Sequence, residues 1–291
     1  MPALVALVAV TAVWGYTFVP MKDAVALYPL FAFLAVRFLI AAVVLAAPAG
    51  PRLRSLGRQG WIAGTALGLL LALGYALQTA GLQRTTVSSA GFITGLYVVF
   101  TPLLALLLFR TRVGASVWLG VALAVVGLAM LSGVGAGDPL GDLLVLLGSA
   151  AFSLQIVLME RYAPRYDAVA FTQAEMLAAC AGFTVVAVAL GQLEVPRGWT
   201  VWGALLVTGI FASALGFLVQ TWAQRRLSAA RTALAFAMEP VWAGIFGFWL
   251  AGDRLGALGW GGCAVIMAGI VVAEPEAGKT LRRLVGREAD A

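Results

Sequence analysis

The chain has 291 residues, of which 62% are hydrophobic and only 11% are charged. Soluble domains carry about 25% charged residues, so this composition excludes an ordinary water-soluble core and predicts a protein whose main solvent is lipid. The net charge of +6 does not indicate nucleic-acid binding, because the arginines occupy short gaps between apolar runs.

Ten apolar runs, each about as long as a membrane-crossing helix, follow one another along the chain. They cover 3–21, 29–47, 60–82, 86–109, 114–132, 140–159, 168–190, 200–223, 229–251 and 257–273. The first run has no basic leader and no small-residue cleavage site before Trp14, so we expect a retained span rather than a signal peptide. Segment 275–291 is polar and basic and is predicted to be a cytoplasmic tail. The pattern predicts an all-α membrane protein with ten transmembrane helices.

The loops between the runs differ in their content of Lys and Arg. If the N-terminus is cytoplasmic, the inner segments carry 14 basic residues and the outer loops carry four. This positive-inside bias predicts a multi-pass protein of a bacterial inner membrane with both termini in the cytoplasm.

A set of residues recurs in the second half of the sequence. Trp118, Gly120 and Gly127 recur with the same mutual spacing as Trp260, Gly262 and Gly269, and Pro102 recurs at a similar offset as Pro240. This spacing predicts two repeats of five helices, 1–133 and 134–274. Because five is odd, the second repeat would enter the membrane inverted, an arrangement common in secondary carriers.

Three charged residues fall deep within predicted spans: Arg37, Glu175 and Glu239. At a rise of about 1.5 Å per residue, Arg37 and Glu239 lie at similar depths, about 12–15 Å from the nearer edge. Charges are costly at such a depth, so we predict that both face a central cavity, where they either pair or share a zwitterionic or anionic substrate. The alternative is a buried ion pair that only fixes helix packing.

Polar and aromatic side chains at helical spacing point toward the same cavity. In the eighth span Ser213, Phe217, Gln220 and Gln224 share one face. The predicted substrate-binding residues are Trp14, Arg37, Tyr75, Gln78, Thr94, Tyr97, Gln220, Glu239 and Trp242. Hydrogen bonding between packed helices is the alternative explanation for such stripes. Pro102 and Pro240 are hinge candidates, because proline removes a backbone donor.

The chain contains, in order, the motifs Trp14-Gly15 with Lys22, Arg37-Phe38, Gly91-Phe92-Ile93-Thr94-Gly95-Leu96 with Pro102, and Glu239-Pro240. In these motifs the chain resembles the EamA-type transporters of the drug/metabolite transporter superfamily. The chain departs from the family pattern at Arg110-Thr111-Arg112, where an acidic residue is common, and at Asp253, where Glu is usual. The resemblance implies a secondary active exporter or exchanger of amino acids, related metabolites or drugs.

The sequence contains no histidine, which excludes His-based catalysis and His metal sites, and no Walker loop for ATP. We therefore predict no enzyme, no metal and no cofactor. Asp138 and Asp167 fall on opposite membrane sides, so they do not form an intramembrane protease site. If transport is coupled to protons, Glu239 or Glu175 would carry them.

The expected partners are a small-molecule substrate, the lipid bilayer and protons as a candidate coupling ion, but no nucleic acid. The oligomeric state stays open between monomer and homodimer. An uncoupled facilitator or channel, and a lipid-handling or scaffold protein, remain as alternatives to the carrier.

Overall fold

The computed structural model describes residues 2–82, 84, 85, 90, 93–132, 138–246, 249 and 256–273. Long helices dominate this part of the chain. Their bounds are α1 Pro2–Leu27, α2 Leu30–Ala49, α3 Gly57–Leu82, α4 Tyr97–Phe109, α5 Ala115–Ser132, α6 Pro139–Tyr162, α7 Ala168–Ala189, α8 Trp199–Gln224, α9 Ala229–Phe236, α10 Met238–Phe246 and α11 Ala257–Ala273. Two short 3-10 segments, Gly50–Leu56 and Ala163–Arg165, follow α2 and α6.

Four stretches are long and apolar enough to cross a membrane: Leu30–Gly81, Pro139–Arg165, Ala168–Ala189 and Trp199–Gln224. The first holds both α2 and α3, since the 3-10 turn with Pro51 divides it. Shorter apolar helices cover Pro2–Thr17, Ile93–Phe109, Ala115–Met130 and Ala257–Ala273. Large apolar side chains also point outward, as expected where the solvent is lipid. These features agree with the predicted all-α membrane protein.

Some sequence predictions fall outside the described residues. These are the start of the fourth predicted span at 86–89, the end of the ninth at 250–251 and the tail 275–291. Within the described part, the ninth predicted span consists of α9 and α10, which are separated by a turn at Ala237. Pro240 follows that turn closely, and Pro102 follows a similar turn at Leu96.

Helices from the two halves of the chain pack against one another throughout. The α5 helix packs on α11, α2 packs on α7, and α3 packs on both α6 and α7. In turn, α1 packs on α8 and α10, α2 on the middle of α8, and α4 on α6 and α9. The polar side chains described below therefore come from distant parts of the sequence.

Glycines set the closest approach between α5 and α11. A Cβ atom on Gly120 would lie 2.6 Å from the carbonyl oxygen of Gly269, and one on Gly127 would lie 2.6 Å from that of Gly262. Small residues let helix backbones approach in this way within a membrane. Because the residue number rises along α5 while it falls along α11, the two helices run antiparallel.

Candidate functional site

A cavity lies between the helices. Its empty volume is about 700 Å³, and this value includes open solvent at the mouth of the cavity. Its apolar and aromatic lining consists of Trp14, Met21, Leu71, Tyr75, Tyr97, Phe152, Ile156, Phe217 and Phe236. Its polar lining consists of Thr17, Arg37, Gln78, Thr94, Gln155, Gln220 and Glu239. A mainly apolar wall with a few convergent polar groups is typical of small-molecule sites.

The cavity brings together eight of the nine residues named from the sequence as substrate-binding candidates. The exception is Trp242, whose ring packs beside Phe246 with the centroids 6.3 Å apart. The indole nitrogen of Trp242 is buried and has no hydrogen-bond partner among the described residues. Trp242 lies in the same helix as Glu239, but its ring packs against the buried apolar cluster that includes Phe236 and Val241 and is not part of the cavity lining.

Arg37 is a buried cation in the wall of the cavity, with only 3% of its surface exposed. Its Nε donates a hydrogen bond to Ser213 Oγ at 2.7 Å. The guanidinium carbon lies 5.4 Å from the ring centroid of Tyr75 and 5.6 Å from that of Phe38, within cation–π range. A serine from α8 and two aromatic rings thus hold the charge in place.

Glu239 lies in the first turn of α10 and also faces the cavity. The start of a helix is a favourable place for a carboxylate, because the free backbone N–H groups carry partial positive charge. Arg37 and Glu239 do not pair directly. The ion pairs present in the described part of the chain are Arg52 with Asp167 at 3.9 Å and Arg84 with Asp138 at 2.8 Å, both near helix ends.

Glu175 is completely buried on α7 and lies behind the cavity wall rather than in it. Its Oε1 accepts a hydrogen bond from Gln155 Nε2 at 2.6 Å. Its Oε2 has no partner among the described residues. Gln155 itself lines the cavity and is not among the site residues predicted from the sequence. The available signal was an amide side chain inside the mainly apolar sixth span.

The middle of α8 forms a π-helical segment, Val207–Leu215, which bonds to two residues of the cavity lining, Trp14 and Arg37. The indole Nε1 of Trp14 donates to the carbonyl oxygen of Ala212 in this segment at 2.8 Å. The Trp14 ring also contacts Phe217 and Phe236, at centroid distances of 5.6 and 4.9 Å. Trp14 thereby joins α1 to α8 and α9 at the cavity wall.

The amide of Gln78 connects helices on another side of the cavity. Its Nε2 donates to Thr94 Oγ1 at 3.0 Å, while Ser149 Oγ donates to the Thr94 carbonyl oxygen at 2.9 Å. Thr101 and Thr232 are also buried, and their hydroxyl oxygens have no partner in the described ranges. Some of the polar residues at helical spacing therefore form hydrogen bonds between packed helices, and others line the cavity.

The family model described as the EamA-like transporter family matches residues 1–133 and 139–273, which together span nearly the whole chain. The chain belongs to the EamA-like transporter family. This membership points to a multi-pass membrane transporter rather than an enzyme. It also confirms the resemblance drawn from the sequence motifs.

Relatives of this EamA-family chain carry similarly general names. It is 31% identical over 275 residues to an uncharacterized transporter of Archaeoglobus fulgidus, covering 93% of this chain and 83% of that protein. It is 27% identical over 287 residues to the uncharacterized inner membrane transporter YedA of Escherichia coli K12, covering 94% and 90%. A crystal structure of a protein with 20% identity superposes with a TM-score of 0.79 and covers 96% of this chain and 98% of the other. That likeness concerns the fold alone.

Proposed function

We propose that this EamA-family protein is a secondary active transporter that exports small organic solutes, such as amino acids, related metabolites or drugs. The observation that carries the proposal is the cavity, which holds one cation, one carboxylate, several amides and several aromatic rings. Arg37 and Glu239 both face this space without pairing with each other. Both therefore stay available to a solute.

The charge pattern favours a solute with two ends of opposite charge. A carboxylate would lie near Arg37, whose planar guanidinium suits bidentate binding, and an ammonium group would lie near Glu239. The rings of Trp14, Tyr97 and Phe236 would then contact the apolar part of the solute. Zwitterionic metabolites with an apolar side chain fit this pattern best.

Alternating access requires two parts that move against each other, and we propose the inverted repeats 1–133 and 134–274 for that role. The helix pairs support this division. The α3–α6 contact has its counterpart in α8–α1, and the α3–α7 contact has its counterpart in α8–α2. The separate family matches to 1–133 and 139–273 support it as well. Pro102 and Pro240 remain the hinge candidates.

Individual residues support the same correspondence. A Cβ on Gly68 would collide with the carbonyl oxygen of Glu175, and one on Gly209 would lie 3.0 Å from that of Arg37. The sequence separation between Gly68 and Gly209 is nearly equal to that between Arg37 and Glu175. Arg37 and Glu175 thus take equivalent positions in the proposed repeats.

We further propose the predicted inner-membrane orientation with both termini in the cytoplasm. The positive-inside bias supports this orientation. Contacts between loops support the grouping of the loops into two sides, because each contact joins segments assigned to the same side. Tyr28 donates to the Glu194 carbonyl oxygen at 2.6 Å between outer loops, and Arg52 pairs with Asp167 between inner ones.

Solute counterflow into liposomes that contain the purified protein tests the carrier function. Counterflow of a labelled amino acid or aromatic metabolite is expected with the native protein, because exchange needs no driving ion. The Glu239→Gln variant should lose at least about tenfold in rate, since the ammonium group would lose its charged partner.

Gln173→Met is the matched control, because Gln173 is buried on α7 and lies outside the cavity wall. Full counterflow by Glu239→Gln at normal expression would remove Glu239 from the mechanism. Flux without exchange would indicate a channel, and the absence of any solute flux would favour a scaffold protein.

A further inference from the structure

A continuous chain of hydrogen-bonded side chains runs from the cavity wall to Glu175. Gln220 Nε2 donates to Gln224 Oε1 at 2.9 Å and to Gln155 Oε1 at 3.1 Å. Gln155 Nε2 then donates to Glu175 Oε1 at 2.6 Å. Each of these four residues has at most 2% of its surface exposed. The chain joins α6, α7 and α8 at one point.

The two middle members of this chain form part of the cavity wall, whereas Glu175 does not. Gln155 and Gln220 therefore have two kinds of contact, with the cavity on one side and with a buried acid on the other. A change in the charge of Glu175 can therefore alter the cavity wall through Gln155. The far end of the chain is fixed, because Gln224 Nε2 donates to the backbone oxygen of Ile156 at 2.8 Å.

No cation pairs with Glu175 within the described ranges. Of the helices packed against α7, α2 carries Arg37 and α3 carries Arg58 and Tyr75, while α8 has no titratable side chain. The α6 helix, which supplies Gln155, carries Asp142 in its first turn and Glu160, Arg161 and Tyr162 in its last turn. Arg37 donates to Ser213, and Arg58 is exposed in the first turn of α3. The 3-10 segment before α3 adds Arg52 and Arg54, which are also exposed.

A buried carboxylate with one donor and one unpaired oxygen is costly to keep charged. The same carboxylate accepts a short bond from Gln155, and such a bond is stronger when the acceptor is charged. Protonation of Glu175 removes the cost of the buried charge and weakens the hydrogen bond from Gln155. The two states of Glu175 therefore differ mainly in how firmly Gln155 is held.

We propose that Gln155 is a positioning residue that transmits the protonation state of Glu175 to the substrate cavity. When Glu175 is ionised, a charge-assisted bond fixes the Gln155 amide and, through it, the Gln220 amide. When Glu175 carries a proton, both amides gain freedom to reorient toward the solute. This inference rests on the carrier function proposed above and gives Glu175, rather than Glu239, the role of proton carrier.

The first test is the pH profile of counterflow in liposomes. For the native protein the rate should change by about tenfold across the titration of Glu175, since a charged hydrogen bond is more stable than a neutral one by an energy that corresponds to about a tenfold change in an equilibrium constant. Glu175→Gln and Gln155→Met should both give flat profiles when each variant's rates are normalised to its own maximum. Gln173→Met should keep the native profile, because Gln173 is an equally buried amide of α7 outside the chain. A native profile in Gln155→Met would overturn the proposal.

The second test needs no transport. Infrared difference spectra of the purified protein, recorded while pH is changed, should show a carbonyl band from protonated Glu175. Glu175→Gln should abolish this band, and Gln155→Met should shift its frequency because the hydrogen bond is gone. An unshifted band in Gln155→Met would refute the link between the two residues. If the native protein exchanges no solute, the carrier function fails while this measurement still decides the link.

Discussion

At the scale of single residues, Arg37 shows how the membrane interior treats a charge. Its Nε bonds Ser213, a residue 176 positions away, and its guanidinium group lies against the rings of Tyr75 and Phe38. This arrangement holds the cation without neutralising it. The charge therefore stays available to bind a solute, whereas an ion pair between Arg37 and Glu239 would have neutralised it.

Ser213→Ala tests this arrangement. We expect the free energy of unfolding in detergent to fall by about 1–3 kcal/mol, because the substitution leaves a buried charged donor without its acceptor. Thr208→Ala is the control, since the Thr208 hydroxyl donates within its own helix to the Leu205 carbonyl oxygen at 3.4 Å. Equal losses in the two variants would argue against a special role for the Ser213 bond.

At the scale of helices, α3 and α8 take equivalent positions in the proposed inverted repeats, and their sequence spacing differs by one residue. The step along the sequence from Gln78 to Gln220 is one residue longer than the step from Trp61 to Trp202. Between those positions α8 is π-helical, and a π-helix holds one more residue per hydrogen-bonded turn than an α-helix. The extra residue is absorbed there, so Gln220 faces the cavity as Gln78 does.

Trp14→Phe tests the bond that joins α1 to this π-helical segment. The phenyl ring keeps the aromatic contacts, but the Ala212 carbonyl oxygen loses its donor. Amide hydrogen exchange of Val207–Leu215 should become faster, because local opening no longer breaks that bond. Trp202→Phe is the control, since its indole donates to the Pro196 carbonyl oxygen outside the segment. Unchanged exchange in Trp14→Phe would contradict the predicted role.

Glycine contacts provide a second prediction at this scale. Gly127→Ala should lower the free energy of unfolding by about 1–3 kcal/mol, because its methyl group would overlap the Gly262 backbone of α11. Gly203→Ala should be neutral or slightly stabilising, since no atom lies within 4 Å of the added Cβ. Thermal unfolding of both variants in detergent checks the difference, and similar midpoints would disprove the close approach of α5 and α11.

At the scale of the whole molecule, orientation is the property to measure. In a background without Cys180 and Cys263, Thr111→Cys should react with a membrane-impermeant maleimide only after the cells are opened. Leu193→Cys, in the loop between α7 and α8, should react in intact cells because that loop is predicted to lie outside. Both positions are exposed, so access depends on the side of the membrane. The reverse pattern would invert the proposed topology.

The division between sequence and tertiary structure follows from the physics of the bilayer. Hydrophobicity and loop charge act locally along the chain, so the sequence predicted the apolar helices and the few deep charges Arg37, Glu175 and Glu239. The EamA motifs added the family. Which polar groups meet depends instead on how helices rotate and pack, a property shared between segments far apart in the sequence. Tertiary structure alone therefore brought Gln155 to Glu175, gave Arg37 its bond to Ser213, and left Trp242 outside the cavity lining.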